Sequence, residues 1–145
     1  MRVLVTGAAG FLGSLSGKVV AIWGLAFKAE TDDVRESPAL VLIEELLAAG
    51  AKVQAHDPAA MDTAAHHLGT RVTYAAHGFD ALNGADALAI VTEWLEYRNP
   101  DFAKMKQLLK RPLIVDGRNL YDPLKLGRLG FTYDSIGRPL GCASS

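Results

Sequence analysis

Cysteine is nearly absent. The one thiol, Cys142, stands close to the end of the 145-residue chain, so no internal disulfide can form and no CxxC or Cys/His metal spacing exists. Charge of one sign is missing too: 15 Lys and Arg are interspersed with 16 Asp and Glu, for a net charge of −1. That balance supplies no electropositive field for a nucleic-acid backbone. No apolar run approaches the length needed to cross a bilayer, and the opening residues lack the apolar core and cleavage site of a signal peptide. The expectation is a cytoplasmic protein without nucleic-acid or membrane partners. Proline is scarce at 6 residues, while apolar residues reach 50% and charged residues 21%, which excludes a disordered or collagen-like chain. The length suits one domain of about 100–150 residues and leaves no room for a complete dinucleotide-binding domain beside a substrate domain.

What is present is alternation. Val19 to Trp23 is a continuous apolar run followed by Gly24, as a strand buried on both faces requires. Ser37 and Pro38 open a helix over Ala39 to Ala49, with Leu40, Ile43, Leu46 and Leu47 on one stripe, and Gly50 is placed to end it. Lys52 to His56 reads as a strand, Ala59 to Leu68 as a helix, and Arg71 to Tyr74 as a short strand. Asp86 to Thr92 and Leu113 to Val115 read as buried strands, Phe102 to Leu109 as an amphipathic helix, and Phe131 to Ile136 as an edge strand. The pattern predicts an α/β fold: three layers, a doubly wound, mainly parallel Rossmann-like sheet of five or six strands. Ligands of such sheets bind at the carboxyl ends of the strands. Here those ends lead into Gly24 to Glu36, Thr92 to Asn99 and Asp116 to Asp122.

Two motifs point in different directions. MRVLVTGAAGFLGS carries Gly7, Gly10 and Gly13, a spacing that lets a pyrophosphate approach the backbone at a helix N-terminus. This stretch resembles the opening of extended short-chain dehydrogenase/epimerase proteins. The long helix and the second strand with its ribose-binding acid do not follow it, because the next strand begins at about residue 19. From Leu15 onward the pattern changes. GKVVAIWGLAFKAETDDVRESPALVLIEELLAAGAKVQAHDP, ADALAIVTEWLEY, LIVDGRNLYDP and GFTYDSIGR occur in order. Together they resemble the C-terminal UDP-binding domain of the UDP-glucose 6-dehydrogenases, over about 125 residues. The TDDVRES and TEWLEY forms favour this member over its GDP-mannose and UDP-N-acetylmannosamine relatives.

The resemblance implies roles residue by residue. Phe27 and Lys28 of GLAFK would lie against a UDP-sugar, the ring over an apolar face and the ammonium on diphosphate or sugar oxygens. Arg118 of DGRN would contact the same ligand, with Asp116 orienting it, and Trp94 either walls the uracil pocket or packs in the core. Arg35 matches an arginine that reaches the dinucleotide, its alternative being a surface pair with Asp32, Asp33 or Glu36. The acidic residues around Arg35 also favour the N-terminus of the following helix. Asp57-Pro58 matches a strand-to-helix turn. The full-length family uses NAD and a cysteine nucleophile to oxidise the sugar. No catalytic residue of that route is matched here, Cys142 does not occupy the nucleophile's position, and NAD is not expected to bind this chain tightly alone.

His56, His66, His67 and His77 form no ligand pattern and read as surface histidines, so no metal is expected. The organisation expected is an added strand and glycine-rich turn or fusion junction over 1–16, a UDP-binding domain over 17–138 and a tail over 139–145. The partner expected is UDP or a UDP-sugar, with self-association possible through an exposed former domain interface. Two alternatives stay open: a small NAD-binding enzyme using Gly7, Gly10 and Gly13, and a structural chimera.

Overall fold

Residues one apart along a strand point to opposite faces, and this sequence fills both faces with apolar side chains. In β1 (Val19–Trp23), Val20 and Ile22 enter one core while Ala21 and Trp23 enter another. A computed structural model describes residue 10 and residues 12–135. Gly7, Cys142, the tail over 139–145 and most of the expected N-terminal strand lie outside the described residues.

After β1 come α1 (Pro38–Ala48), β2 (Lys52–His56), α2 (Met61–Leu68) and β3 (Thr73–Tyr74). They are followed by α3 (Gly78–Leu82), β4 (Ala87–Ile90), α4 (Phe102–Leu108), β5 (Leu113–Asp116), α5 (Pro123–Arg128) and β6 (Thr132–Ser135). The strands form one six-stranded sheet in the order β3-β2-β1-β4-β5-β6, and every described pairing is parallel. Such pairing needs crossovers, and the helices serve as those crossovers, covering the sheet on both faces. One core joins α1 and α2 to Ile22, Val53 and Ala55; the other joins α3, α4 and α5 to Trp23, Ile90 and Tyr133. This is the expected three-layer Rossmann-like architecture, with the turning point of the strand order between β1 and β4.

α1 forms where its sequence places it. The Ser37 hydroxyl accepts from the Ala39 N–H and donates to the Leu25 carbonyl, so one side chain caps the helix and ties it to the loop after β1. A cap of this kind contributes about 1 kcal/mol. Gly50, at φ +89°, takes the chain out of the helix through the left-handed region. Leu42 joins the buried stripe, while Val41 is left exposed. Leu12 and Leu15 are buried against this same core. α3 and α5 were not expected: they are too short to show an apolar period, and α5 contains Gly127. α5 still carries a readable start, since Asp122 accepts from the Leu124 N–H and Pro123 occupies the first turn. Among the described residues, no helix is long and apolar enough to cross a membrane.

Candidate functional site

The carboxyl ends of β1, β2 and β4 are knotted together by Asp57, which is wholly buried. Its Oδ2 accepts from the N–H of Leu25 and Ala26 and from Trp94 Nε1, at 2.8, 3.1 and 3.1 Å. Its Oδ1 accepts from the N–H of Ala59 and Ala60, at 2.8 and 2.9 Å. Five donors fill the acceptor sites of the carboxylate. Across the turning point, Thr92 Oγ1 donates to the Ala26 carbonyl at 2.8 Å. Gly24, at φ +101°, sits so close to Thr92 that an added Cβ would lie 2.4 Å from the threonine Cβ. The crevice between β1 and β4 is therefore filled by the protein itself.

The ligand-facing candidates surround this knot. Phe27 follows Ala26 and is 47% exposed, unusual for a phenyl ring, and the adjacent Lys28 is also exposed. Arg118 leaves β5 through Gly117, its Nε donating to Glu93 Oε2 at 2.5 Å. Glu93 is the residue after Thr92, so the contacts run from the Phe27 loop through Thr92 and Glu93 to Arg118. The arginine beside Glu93 holds its carboxyl below the usual carboxylate range. Asp116, expected to orient the guanidinium, instead accepts from the backbone N–H of Arg118 and Leu120 and from the Tyr133 hydroxyl. It shapes the loop because it is buried beneath it. The non-glycine residues recorded with positive φ, Glu30, Glu36 and Asn119, all lie in the loops after β1 and β5. Strain of this kind concentrates at functional loops.

Arg35 takes the surface alternative. It grips Asp33 through Nε and Nη2 at 3.1 and 3.0 Å, and its side chain is 86% exposed. It shares a shallow cleft of about 320 Å³ with Phe27, Asp33 and Glu36. Trp94 is core: it is 9% exposed and its indole N–H is spent on Asp57. His66, His67 and His77 are exposed, as expected, but His56 is not a surface residue. It ends β2 beneath the loop after β4, 4% exposed, with Nδ1 2.8 Å from the Tyr97 hydroxyl. Burial lowers its pKa, so the imidazole is held neutral. Sequence reasoning missed Glu93 as the partner of Arg118, since residues 25 apart in sequence show no local pattern. Asp57-Pro58 was a visible signal, and what it did not reveal was how far the carboxylate reaches. Among the described residues, no group of three His, Cys, Asp or Glu is placed to hold a metal.

The NAD of the resembling family can be tested against these residues. A dinucleotide at such a turning point needs open backbone at the first turn and a free acid at the end of the second strand. Gly24 has no space beside Thr92, and Asp57 has no acceptor to spare. Gly10 and Gly13 are exposed, with no atom within 4 Å of an added Cβ. The described residues do not fit NAD.

The family model described as "UDP-glucose/GDP-mannose dehydrogenase family, UDP binding domain" matches residues 21–123, beginning after the glycine triplet. A UDP-glucose 6-dehydrogenase of Pseudomonas aeruginosa is 49% identical over 134 residues, covering 89% of this chain and 30% of that protein. One of Rhizobium meliloti is 44% identical over 135 residues, covering 93% and 30%. The structure of a UDP-glucose dehydrogenase from Pyrobaculum islandicum superimposes with a TM-score of 0.82 at 35% identity, over 95% of this chain and 29% of that one. The chain thus spans about 30% of the length of the curated relatives it matches. The family model spans most of the chain, the curated relatives and the superimposed structure agree with it, and the chain belongs to the UDP-glucose/GDP-mannose dehydrogenase family, within its UDP binding domain.

Proposed function

We propose that this chain is the nucleotide-sugar-holding part of a UDP-glucose 6-dehydrogenase, binding UDP or a UDP-sugar through Phe27, Lys28 and Arg118, with the binding unit over 17–138. The observation that carries the reading is Arg118. It stands just beyond the carboxyl end of β5, its loop fixed by Asp116, and its terminal nitrogens make no hydrogen bond to the described residues. A guanidinium so placed matches diphosphate oxygens in pairs, and Lys28 adds a second cation at the same edge. The exposed ring of Phe27 supplies apolar cover for a ligand. Oxidation of the sugar needs a nucleophile, an acid/base partner and a cofactor site that these residues do not provide. The chain alone binds and does not turn over. Phe27 and Leu95, exposed on loops at the carboxyl edge, also favour contact with a further domain or a second copy through this face.

Calorimetric titration with UDP tests the reading. Saturable binding is expected, weakened at least about tenfold in Arg118→Ala, as loss of a charge-assisted pair requires. Unchanged affinity in that variant removes Arg118 from the site. NADH formation from UDP-glucose and NAD by the isolated chain would refute the statement that it does not turn over.

A further inference from the structure

A second cleft, of about 560 Å³, opens at the carboxyl ends of β2 and β3, within the usual range for small-molecule sites. Phe27, Lys28 and Arg118 do not line it. Its base is Trp23 stacked on Tyr97, ring centroids 4.6 Å apart and planes within 14°. Its walls include Pro58, Phe79 and Pro100, and its polar groups come from His56, His77, Glu96, Asn99 and Asp101.

His56 gives this cleft its chemistry. The Tyr97 hydroxyl donates to the His56 carbonyl at 3.0 Å, and burial keeps the phenol protonated. With that proton committed, the 2.8 Å contact to Nδ1 requires the ring to donate from Nδ1, an assignment made from the hydrogen-bond network. The neutral ring then carries its free lone pair on Nε2, which has no hydrogen-bond partner among the described residues. The carboxylate of Glu96 also makes no side-chain hydrogen bond there, yet lies close enough to His56 to oppose the effect of burial on its charge. The lining contains no Lys or Arg, while Glu96 and Asp101 both carry negative charge. The Lys104 ammonium lies over the outer Phe79 ring, 4.9 Å from its centroid, so a cation borders one wall, while the side of the cleft carrying Glu96 and Asp101 disfavours phosphates and carboxylates and favours groups bearing N–H donors.

We propose that this cleft is a separate binding site for an uncharged, amino-bearing nitrogen heterocycle, such as the base of adenosine, recognised by His56 Nε2 and the Glu96 carboxylate. An exocyclic amino group has two N–H donors, and the cleft offers two unengaged acceptors beside flat apolar walls. A tail bearing phosphate would have to point away from Glu96 and Asp101.

The test is a titration of the histidine-¹⁵N-labelled full chain with adenosine, followed by NMR at the His56 ring nitrogens. Adenosine should shift the Nε2 resonance saturably, with or without UDP present. Purine riboside, which lacks the amino group, should bind at least about tenfold more weakly, as should adenosine to Glu96→Gln with an otherwise unchanged amide spectrum. Residue 96 is exposed, so this variant keeps the fold. The proposal is overturned if Nε2 does not move, if purine riboside binds as well as adenosine, if Glu96→Gln binds normally, or if UDP displaces adenosine. Failure of UDP to bind at all would count against Arg118 and Lys28 and leave this result standing.

Discussion

Arg118 and Glu93 are joined edge to edge: Nε meets Oε2, while the terminal nitrogens of the arginine make no hydrogen bond to the described residues. The carboxylate aims the guanidinium and also places a negative charge where an anionic ligand would arrive. The side chains are 37% and 28% exposed, so solvent screens the pair and its net worth is about 0–1 kcal/mol. Glu93→Gln should therefore leave the fold intact and tighten UDP binding by up to about fivefold. Calorimetry at low and high salt checks this, since the gain should shrink as the ionic strength rises. Weaker binding in Glu93→Gln would mean that aiming outweighs repulsion.

The turning point of the sheet offers a sharper test of packing. An alanine at position 24 would bring its Cβ to 2.5 Å from the Thr92 backbone nitrogen, at a φ that L-residues rarely adopt. Neither backbone can retreat without breaking the hydrogen bonds from Val91 N–H to the Trp23 carbonyl and from Gly24 N–H to the His56 carbonyl. Overpacking and strain together should cost about 2–5 kcal/mol. Urea denaturation of Gly24→Ala should show a large fall in midpoint; a midpoint near that of the parent chain would mean that β1 and β4 are not this close.

Asp57 predicts a still larger loss. Removing its carboxylate in Asp57→Ala strands five N–H donors, four of them in buried contacts. The variant should lose about 3–5 kcal/mol or fail to fold. Asp57→Asn keeps the shape but turns an NH₂ group toward donors, so it too should be clearly destabilised. Mild effects in both would show that the loops after β1 and β4 hold their positions without this residue.

The sheet was legible in the sequence because its strands are short, apolar and separated by helices with caps. Ser37-Pro38 and Gly50 marked both ends of α1, and β2 ends where Asp57-Pro58 begins. α3 and α5 escaped because helices of five and six residues show no period. Arg118, Phe27 and Lys28 are candidates named from motif context, whereas the contacts that hold them in place have no signal there. Glu93 lies 25 residues from Arg118 and Tyr97 lies 41 from His56, and only the parallel crossovers bring such residues together. His56 was misjudged for the same reason: alternation says that it can face inward, whereas its burial depends on Tyr97 arriving from the far end of β4.

The burial of His56 makes stability depend on pH in a definite direction. Desolvation lowers its pKa in the folded chain, with His77 acting in the same sense and Glu96, Asp57 and Asp80 opposing. In the unfolded chain it titrates near the ordinary value of about 6.5. Between the two values the unfolded state binds a proton that the folded state does not, so stability rises with pH through that window. The contribution is complete above about pH 6.5 and is lost as the pH falls toward the folded value, at no more than about 1.4 kcal/mol per pH unit. Asp33, Glu44 and Glu93, whose pKa values are lowered by Arg35, Arg71 and Arg118, act in the more acidic carboxylate range. Glu96→Gln removes the carboxylate that most opposes the shift, so the folded pKa should fall further and the window widen. Urea midpoints at about pH 7.5 and pH 5.5 should drop in the parent chain and drop further in Glu96→Gln. Equal midpoints at both pH values would mean that burial does not hold the His56 ring neutral in the folded chain.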